Sequence, residues 1–251
     1  MMKTETLYEE IFRRKSIRKY DQVPLDDKSL EEISSFMKTI KPLYDNIRIS
    51  FRIVSPDDIR SIMFPVKAPH YLIVSSEEKE GYLANAGFML QQINLFLSSI
   101  GYGSCWLGMT KPVKRSRLDQ DMEFVIAMAF GKPLEPLYRE NLSEFRRKTL
   151  EQICNVNDNA FAEAARLAPS ASNGQPWRFI AVDNLIHAYC IRVNPLKAMF
   201  IKKINMVDMG IAICHIWLAA KHQGKEPEFL SDPEAKNNVP AGYYYTLTVK
   251  E

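Results

Sequence analysis

Nothing in the 251-residue sequence marks a metal protein, a disulfide-stapled domain or a polyanion binder. Its four cysteines, Cys105, Cys154, Cys190 and Cys214, are widely spaced, with no CxxC pair and no zinc-ligand spacing. A chain this long buries enough apolar surface to fold without disulfides, so four reduced, partly buried thiols and no metal are expected. His70, His187, His215 and His222 show no ligand spacing, and His215 falls within an apolar run. No Ser-His-Asp or Cys-His set stands out, so no catalytic residue is assigned. The formal net charge is only +3, which argues against a nucleic-acid partner. There is no signal-peptide pattern, because Glu5, Glu9 and Glu10 precede any apolar run. The best apolar stretch, Val207–Ala220, contains Asp208 and His215. It is shorter than the roughly 20 residues needed to cross a bilayer. A cytoplasmic protein without a membrane partner is the expectation.

Periodicity and turn residues organise what is present. Thr6–Arg14 reads as a short amphipathic helix, and Pro24 with Asp26 or Asp27 opens a second, with Leu30, Ile33, Phe36 and Met37 inward. Residues 40–69 read as irregular, with short strands within 47–54. Tyr71–Val74, Phe124–Phe130, Phe179–Val182, Ala188–Val193 and Tyr243–Val249 have strand character. Leu83–Ile100 and Ile204–Lys221 are long helices, apolar nearly all round and therefore central. Residues 132–145 form a polar arm, Ala160–Leu167 is helical, and a second half begins near Glu151. A weak repeat relates the two long helices: Gly87 and Gly210, Ile93 and Ile216, Leu95 and Leu218, and Gly101 and Gly224 share one offset, with Asn85 and Asp208 at the same spacing.

Two segments carry ligand chemistry. Residues 168–177 pack Ser170, Ser172, Asn173 and Gln175 between Pro169 and Pro176. So many short donors and acceptors on a turn suit a ligand-reading loop, although the same residues also suit a turn that caps the preceding helix. Arg14, Lys15, Ser16 and Arg18 form a compact anion site, joined in principle by Arg146 and Lys148. Taken alone, that cluster also fits a solvated helix end. If the two segments meet in the fold, they offer charge for a phosphate and amide-like groups for a flavin ring. Trp106, Trp177 and Trp217 read as packing residues.

Together these motifs resemble the flavin-dependent nitroreductases. Arg14-x-Ser16-x-Arg18 is similar to their N-terminal signature, and Pro169-Ser170-x-x-Asn173-x-Gln175-Pro176-Trp177 to their second. Gly101–Gly108 resembles the loop after their central helix, and Arg146-x-Lys148 their late basic pair. The resemblance implies an α+β nitroreductase-like fold with two related lobes, 1–150 and 151–251. Each lobe would have a mainly antiparallel sheet flanked by helices, with the long helices packed between them. The Pro-Ser-x-x-Asn motif falls after the basic pair, and the second half lacks an Arg-x-Ser-x-Arg. That departure points to the duplicated single-chain branch: a pseudo-dimer, monomeric or further associated, holding one FMN, its second site decayed. The implied FMN contacts are Arg14, Lys15, Ser16, Arg18, Leu107, Gly108, Arg146, Lys148, Pro169, Ser170, Ala171, Ser172, Asn173 and Gln175. The implied activity is ping-pong hydride transfer from NADH or NADPH to a small-molecule acceptor such as a nitroaromatic or quinone. Parts of 39–66 and 132–145 would line the substrate. Flavin storage or sensing, or another redox reaction of the superfamily, is the alternative.

Overall fold

The computed structural model describes residues 4–62, 65–113, 119–193 and 198–251. Two four-stranded sheets, antiparallel throughout, carry the fold. The first runs β1 (Ile49–Val54), β3 (His70–Ser76), β6 (Glu123–Gly131), β4 (Gly103–Leu107). The second runs β7 (Trp177–Val182), β8 (Leu185–Ile191), β10 (Tyr243–Lys250), β9 (Glu228–Leu230). In each sheet two strands precede a long helix and two follow it, and the last strand lies inside the third. The long helices are α3 (Tyr82–Ser99) and α6 (Ala198–His222). They pack on each other, and each also packs on its own sheet. β2 (Ile59–Ser61) and β5 (Thr110–Pro112) form a small two-stranded sheet beside the first.

Helix positions follow local chemistry. Asp26 caps α2 (Asp27–Met37) by accepting from Ser29 N at 2.8 Å, and Asn159 caps α5 (Ala160–Arg166) by accepting from Ala162 N at 2.8 Å. α1 (Thr4–Ile11) stops before the basic cluster. The two long helices end alike, at Gly101 and Gly224 with φ of +88° and +74°. Tyr102 N then bonds to Leu97 O at 2.8 Å and Lys225 N to Ala220 O at 3.0 Å, the 6→1 bond of a glycine-terminated helix.

The α3–α6 crossing is set by two glycines. A Cβ on Gly87 would lie 2.1 Å from Val207 O, and one on Gly210 would lie 1.9 Å from Ala84 O. The two contacts are reciprocal at the offset read from the sequence, which is the pattern of a self-complementary interface. The same offset relates two anchoring pairs: Gln92 bonds to the Lys41 backbone (3.0 and 2.7 Å), and His215 Nδ1 to Ala164 O (2.8 Å). Asn85 accepts from Leu43 N and Tyr44 N, and Asp208 from Ala171 N. One continuous apolar cluster runs through both halves, from Leu7 on α1 to Val249 on β10.

Three sequence expectations need correction. Gly103–Leu107 is a strand, because its small residues lie flat against β6 in register, Gly103 opposite Gly131. Residues 56–61 are a 3₁₀ turn and β2 rather than irregular chain. The apolar stretch is also longer than Val207–Ala220: Ile201–His222 is long and apolar enough to cross a bilayer, but 72% of an 18-residue window within it is buried inside the fold, as in a core helix.

Gly210→Ala should therefore destabilise by at least the about 1–3 kcal/mol typical of overpacking, since the obstacle is backbone. Gly224→Ala, which meets nothing within 4 Å, should cost only about 1 kcal/mol for its left-handed φ. Urea unfolding of both variants checks the order. Burial also holds the His215 imidazole down at about 3, helped by the like charges of Arg14 and Arg147. The unfolded chain then takes a proton that the fold excludes, so stability falls as pH drops from 6.5 towards 3, by up to about 1.4 kcal/mol per unit. His215→Gln should flatten that slope in unfolding curves taken at falling pH.

Candidate functional site

Two adjoining cavities lie between the halves, and Arg18 and Ser172 wall both. The smaller, about 530 Å³, is basic. After α1 the chain turns along the end of β4, with Ser16 bridged to Ser104 and Arg14 to Tyr138 of the polar arm. This brings Arg14, Lys15, Ser16 and Arg18 to one wall. Arg139, Arg146 and Arg147 form the second wall, and Pro169, Ser170, Ser172 and Asn173 the third.

Arg14 is the key group. Its side chain is buried, and its Nη1 has no hydrogen-bond partner among the described residues. Arg147 Nε is likewise buried and unpartnered. Burial, then repulsion from Arg139 and Arg147, pushes the Arg14 guanidinium down to about 9. Burial, then Arg139 and Arg166, pushes Arg147 down to about 10. Phe145 supports the cluster, with the Arg139 guanidinium 4.0 Å and that of Arg147 5.6 Å from its ring centroid. Arg139 also donates to the Arg14 carbonyl. The one acid lining the cavity, Glu144, accepts from Glu140 N and Asn141 N, and its charge acts on the Arg139 guanidinium. Arg14 and Arg147 have no carboxylate partner among the described residues, and buried cations left in that state form a site that an anion completes.

The polar loop is tied to this cluster. Asn173 Oδ1 accepts from Arg147 at 2.5 Å, and its Nδ2 donates to Arg146 O at 2.9 Å. Ser170 Oγ accepts from Gln175 N at 2.9 Å. Gln175 is buried behind the loop: its Oε1 accepts from Lys148 N at 2.8 Å and its Nε2 donates to Asn173 O at 3.1 Å. Lys148 Nζ donates to Gln175 O at 2.9 Å. Gln175 and Lys148 thus clamp the loop and do not line the basic cavity. Of six non-glycine residues with positive φ among those described, four are here: Arg146, Ser172, Asn173 and Gln175. Strain concentrated in this way marks a conformation that the surroundings enforce.

The larger cavity, about 960 Å³, is mainly apolar. Cys105 to Thr110 wall one side, including Leu107 and Gly108. Ala171, Ser172 and Gly174 contribute from the loop, and Ile191, Ile201, Ile204 and Asn205 from the second half. Trp106 borders it as well, with a buried Nε1 that has no partner among the described residues, so its place is at the site as well as in the packing. Below, Asp208 is buried and accepts from Ala171 N at 3.1 and 3.2 Å; burial raises its carboxyl well above the ordinary range.

The comparisons with known proteins fit this geometry. The family model described as "Putative TM nitroreductase" matches residues 6–220. The chain belongs to this family. A solved structure, described as a "putative nitroreductase" from Thermotoga maritima, is similar over 100% of this chain and 95% of its own, with TM-score 0.67 and 19% identity. The nitroreductase-like α+β fold is thereby shown. Weaker likenesses include a nitroreductase family protein from Clostridium difficile 630, with 14% identity, TM-score 0.47, and 61% and 97% coverage of this chain and its own. Another is an FMN-dependent nitroreductase from Clostridium difficile R20291, with 16% identity, TM-score 0.42, and 55% and 92% coverage. No curated protein matches the chain in sequence.

The fold unites nearly all the sequence-predicted site residues across the two halves. Arg139 and Arg147 were missed: the first sits in a segment without period, and the second was the unmarked middle of Arg146-x-Lys148. The arm 132–145 was expected at the substrate but lies at the basic cavity. Of 39–66, Pro65 and Val66 reach the larger cavity, while 63–64 lie outside the described residues.

Because Arg14 is a buried cation with no acid partner among the described residues, Arg14→Met should raise the melting temperature of the ligand-free protein, and should abolish the rise expected of the parent on adding inorganic phosphate. Thermal melts with and without phosphate check it; a lower melting temperature and an intact phosphate response would make Arg14 structural.

Proposed function

We propose that the chain is an FMN-dependent oxidoreductase of nitroreductase type, reduced by NADH or NADPH and passing electrons to a small neutral acceptor. The observation that carries this reading is the buried Arg14 guanidinium, with a nitrogen left unpartnered among the described residues, in a basic cavity that shares Arg18 and Ser172 with an apolar one. These residues fit the cofactor. A phosphate bears about two negative charges and takes several cationic donors. Arg14, Lys15, Ser16, Arg18 and Arg146 would hold it, together with Arg139 and Arg147. The loop Pro169–Asn173 would hold the ribityl chain and one edge of the ring, and Leu107 and Gly108 would wall the ring itself. When bound, FMN supplies the hydride and electron chemistry, so the protein needs no catalytic triad. What the chain contributes is charge, a shaped apolar wall and one open face. A single mouth serving donor and acceptor in turn suits a ping-pong scheme.

In this reading the chain is also a cytoplasmic, monomeric pseudo-dimer with lobes 1–150 and 151–251, produced by duplication. The matched strand orders and the reciprocal glycine contacts support it. So does the place in the first half that corresponds to the flavin loop. There the Tyr44 ring lies so close to Gly81 that an added Cβ would be 2.5 Å from it, and Asn85 pins the backbone of Leu43 and Tyr44. One FMN per chain follows.

Absorption spectroscopy of the purified protein, with released flavin counted per chain, tests the cofactor. A single FMN per chain, bleached anaerobically by a nicotinamide donor, is expected; a colourless protein that takes up no added FMN would overturn the reading. Replacing both Arg14 and Arg18 by Ala should lower FMN affinity, each charge-assisted contact being worth about 1.5–3 kcal/mol.

A further inference from the structure

With FMN in place, the charges next in sequence to two residues that line the larger cavity become informative. Ile191, at the end of β8, and Ile201, at the start of α6, are both exposed and line that cavity. The next residue in each case is basic: Arg192 and Lys202. Both pack over one ring, that of Tyr244 on β10, with the Arg192 guanidinium carbon 4.9 Å and Lys202 Nζ 5.1 Å from its centroid. Arg192 Nε donates to Tyr243 O at 2.7 Å, which fixes the guanidinium and leaves its two terminal nitrogens for a ligand. Neither cation is paired with a carboxylate among the described residues, whereas Lys221 and Lys225 on the same half have Glu226 and Glu251. Two cations sharing one aromatic ring, neither neutralised by an acid, offer an anion two donors. Neither residue lines the basic cavity or the larger one; the patch adjoins the larger cavity through Ile191 and Ile201.

We propose that Arg192 and Lys202 bind the 2′-phosphate of NADPH and make it the preferred electron donor over NADH. The inference rests on the proposed flavin site. The nicotinamide must enter the apolar cavity, and its adenosine end then leaves past Ile191 and Ile201, where a charge that NADH lacks meets two preplaced cations. An extra phosphate contacted by two cations should favour NADPH by about tenfold or more.

The test compares the parent with a double variant carrying Arg192→Gln and Lys202→Gln, side chains that keep much of the packing on Tyr244. FMN content and melting temperature check the fold, and Arg192→Lys should keep most of the effect. Flavin bleaching by each donor and calorimetric binding of 2′,5′-ADP and 5′-AMP are the readouts. The expected result is an NADPH preference and tighter 2′,5′-ADP binding in the parent, both lost in the double variant. No donor preference in the parent, or equal weakening of NADPH and NADH in the variant, would overturn the proposal and assign the patch to the shared pyrophosphate or to packing. Should neither donor reduce the flavin, the proposed activity falls, and the site is decided by the binding data alone: no preference for 2′,5′-ADP over 5′-AMP, or a preference the variant keeps, overturns it.

Discussion

The backbone contact between α3 and α6 is the constraint on which the rest depends. Gly87 and Gly210 let the two helices approach until each meets the other's carbonyl, and no side chain larger than hydrogen fits either place. Because each helix also packs on its own sheet, this single approach fixes the separation of the two sheets. It therefore constrains how far Leu107 at the end of β4 lies from Ala171 on the loop after α5, both of which line the larger cavity. The long helices are buried on nearly all sides for the same reason, which explains why their sequence shows so little amphipathic period.

The basic cavity is the opposite kind of feature. Burying a guanidinium without a counter-charge opposes folding, and a core of this size has apolar surface enough to tolerate it. The depressed pKa values of Arg14 and Arg147 express that cost. The loop helps to hold the arrangement: Asn173 ties together Arg146 and Arg147, and Gln175 ties the loop to Lys148. Several residues that look like ligand readers are thus partly occupied in building the wall on which a ligand would sit.

How much of this was legible in the sequence depended on period and punctuation. The long helices and buried strands were readable because an all-apolar run bounded by glycine admits few alternatives, as at Leu83–Ile100 before Gly101. The union of Arg14–Arg18 with Pro169–Gln175 was readable from chemistry, since each segment carries groups that a core would not accept. β4 was not, because Gly103, Ser104 and Cys105 have weak strand preference and owe their conformation to pairing with β6. Arg139 was also hidden: its role comes from the arm lying against the chain just after α1, a long-range contact with no local signature.

Asn85 and Asp208 stand at matching positions on the two long helices, and each accepts from the backbone of the segment packed against it. In a symmetric homodimer every residue appears on both sides of the axis, so the two places hold the same side chain. Here one holds a neutral amide and the other an ionisable acid. A single continuous chain can therefore put a titratable group against the loop 168–177 alone and leave its counterpart inert, an asymmetry that no pair of identical subunits can encode.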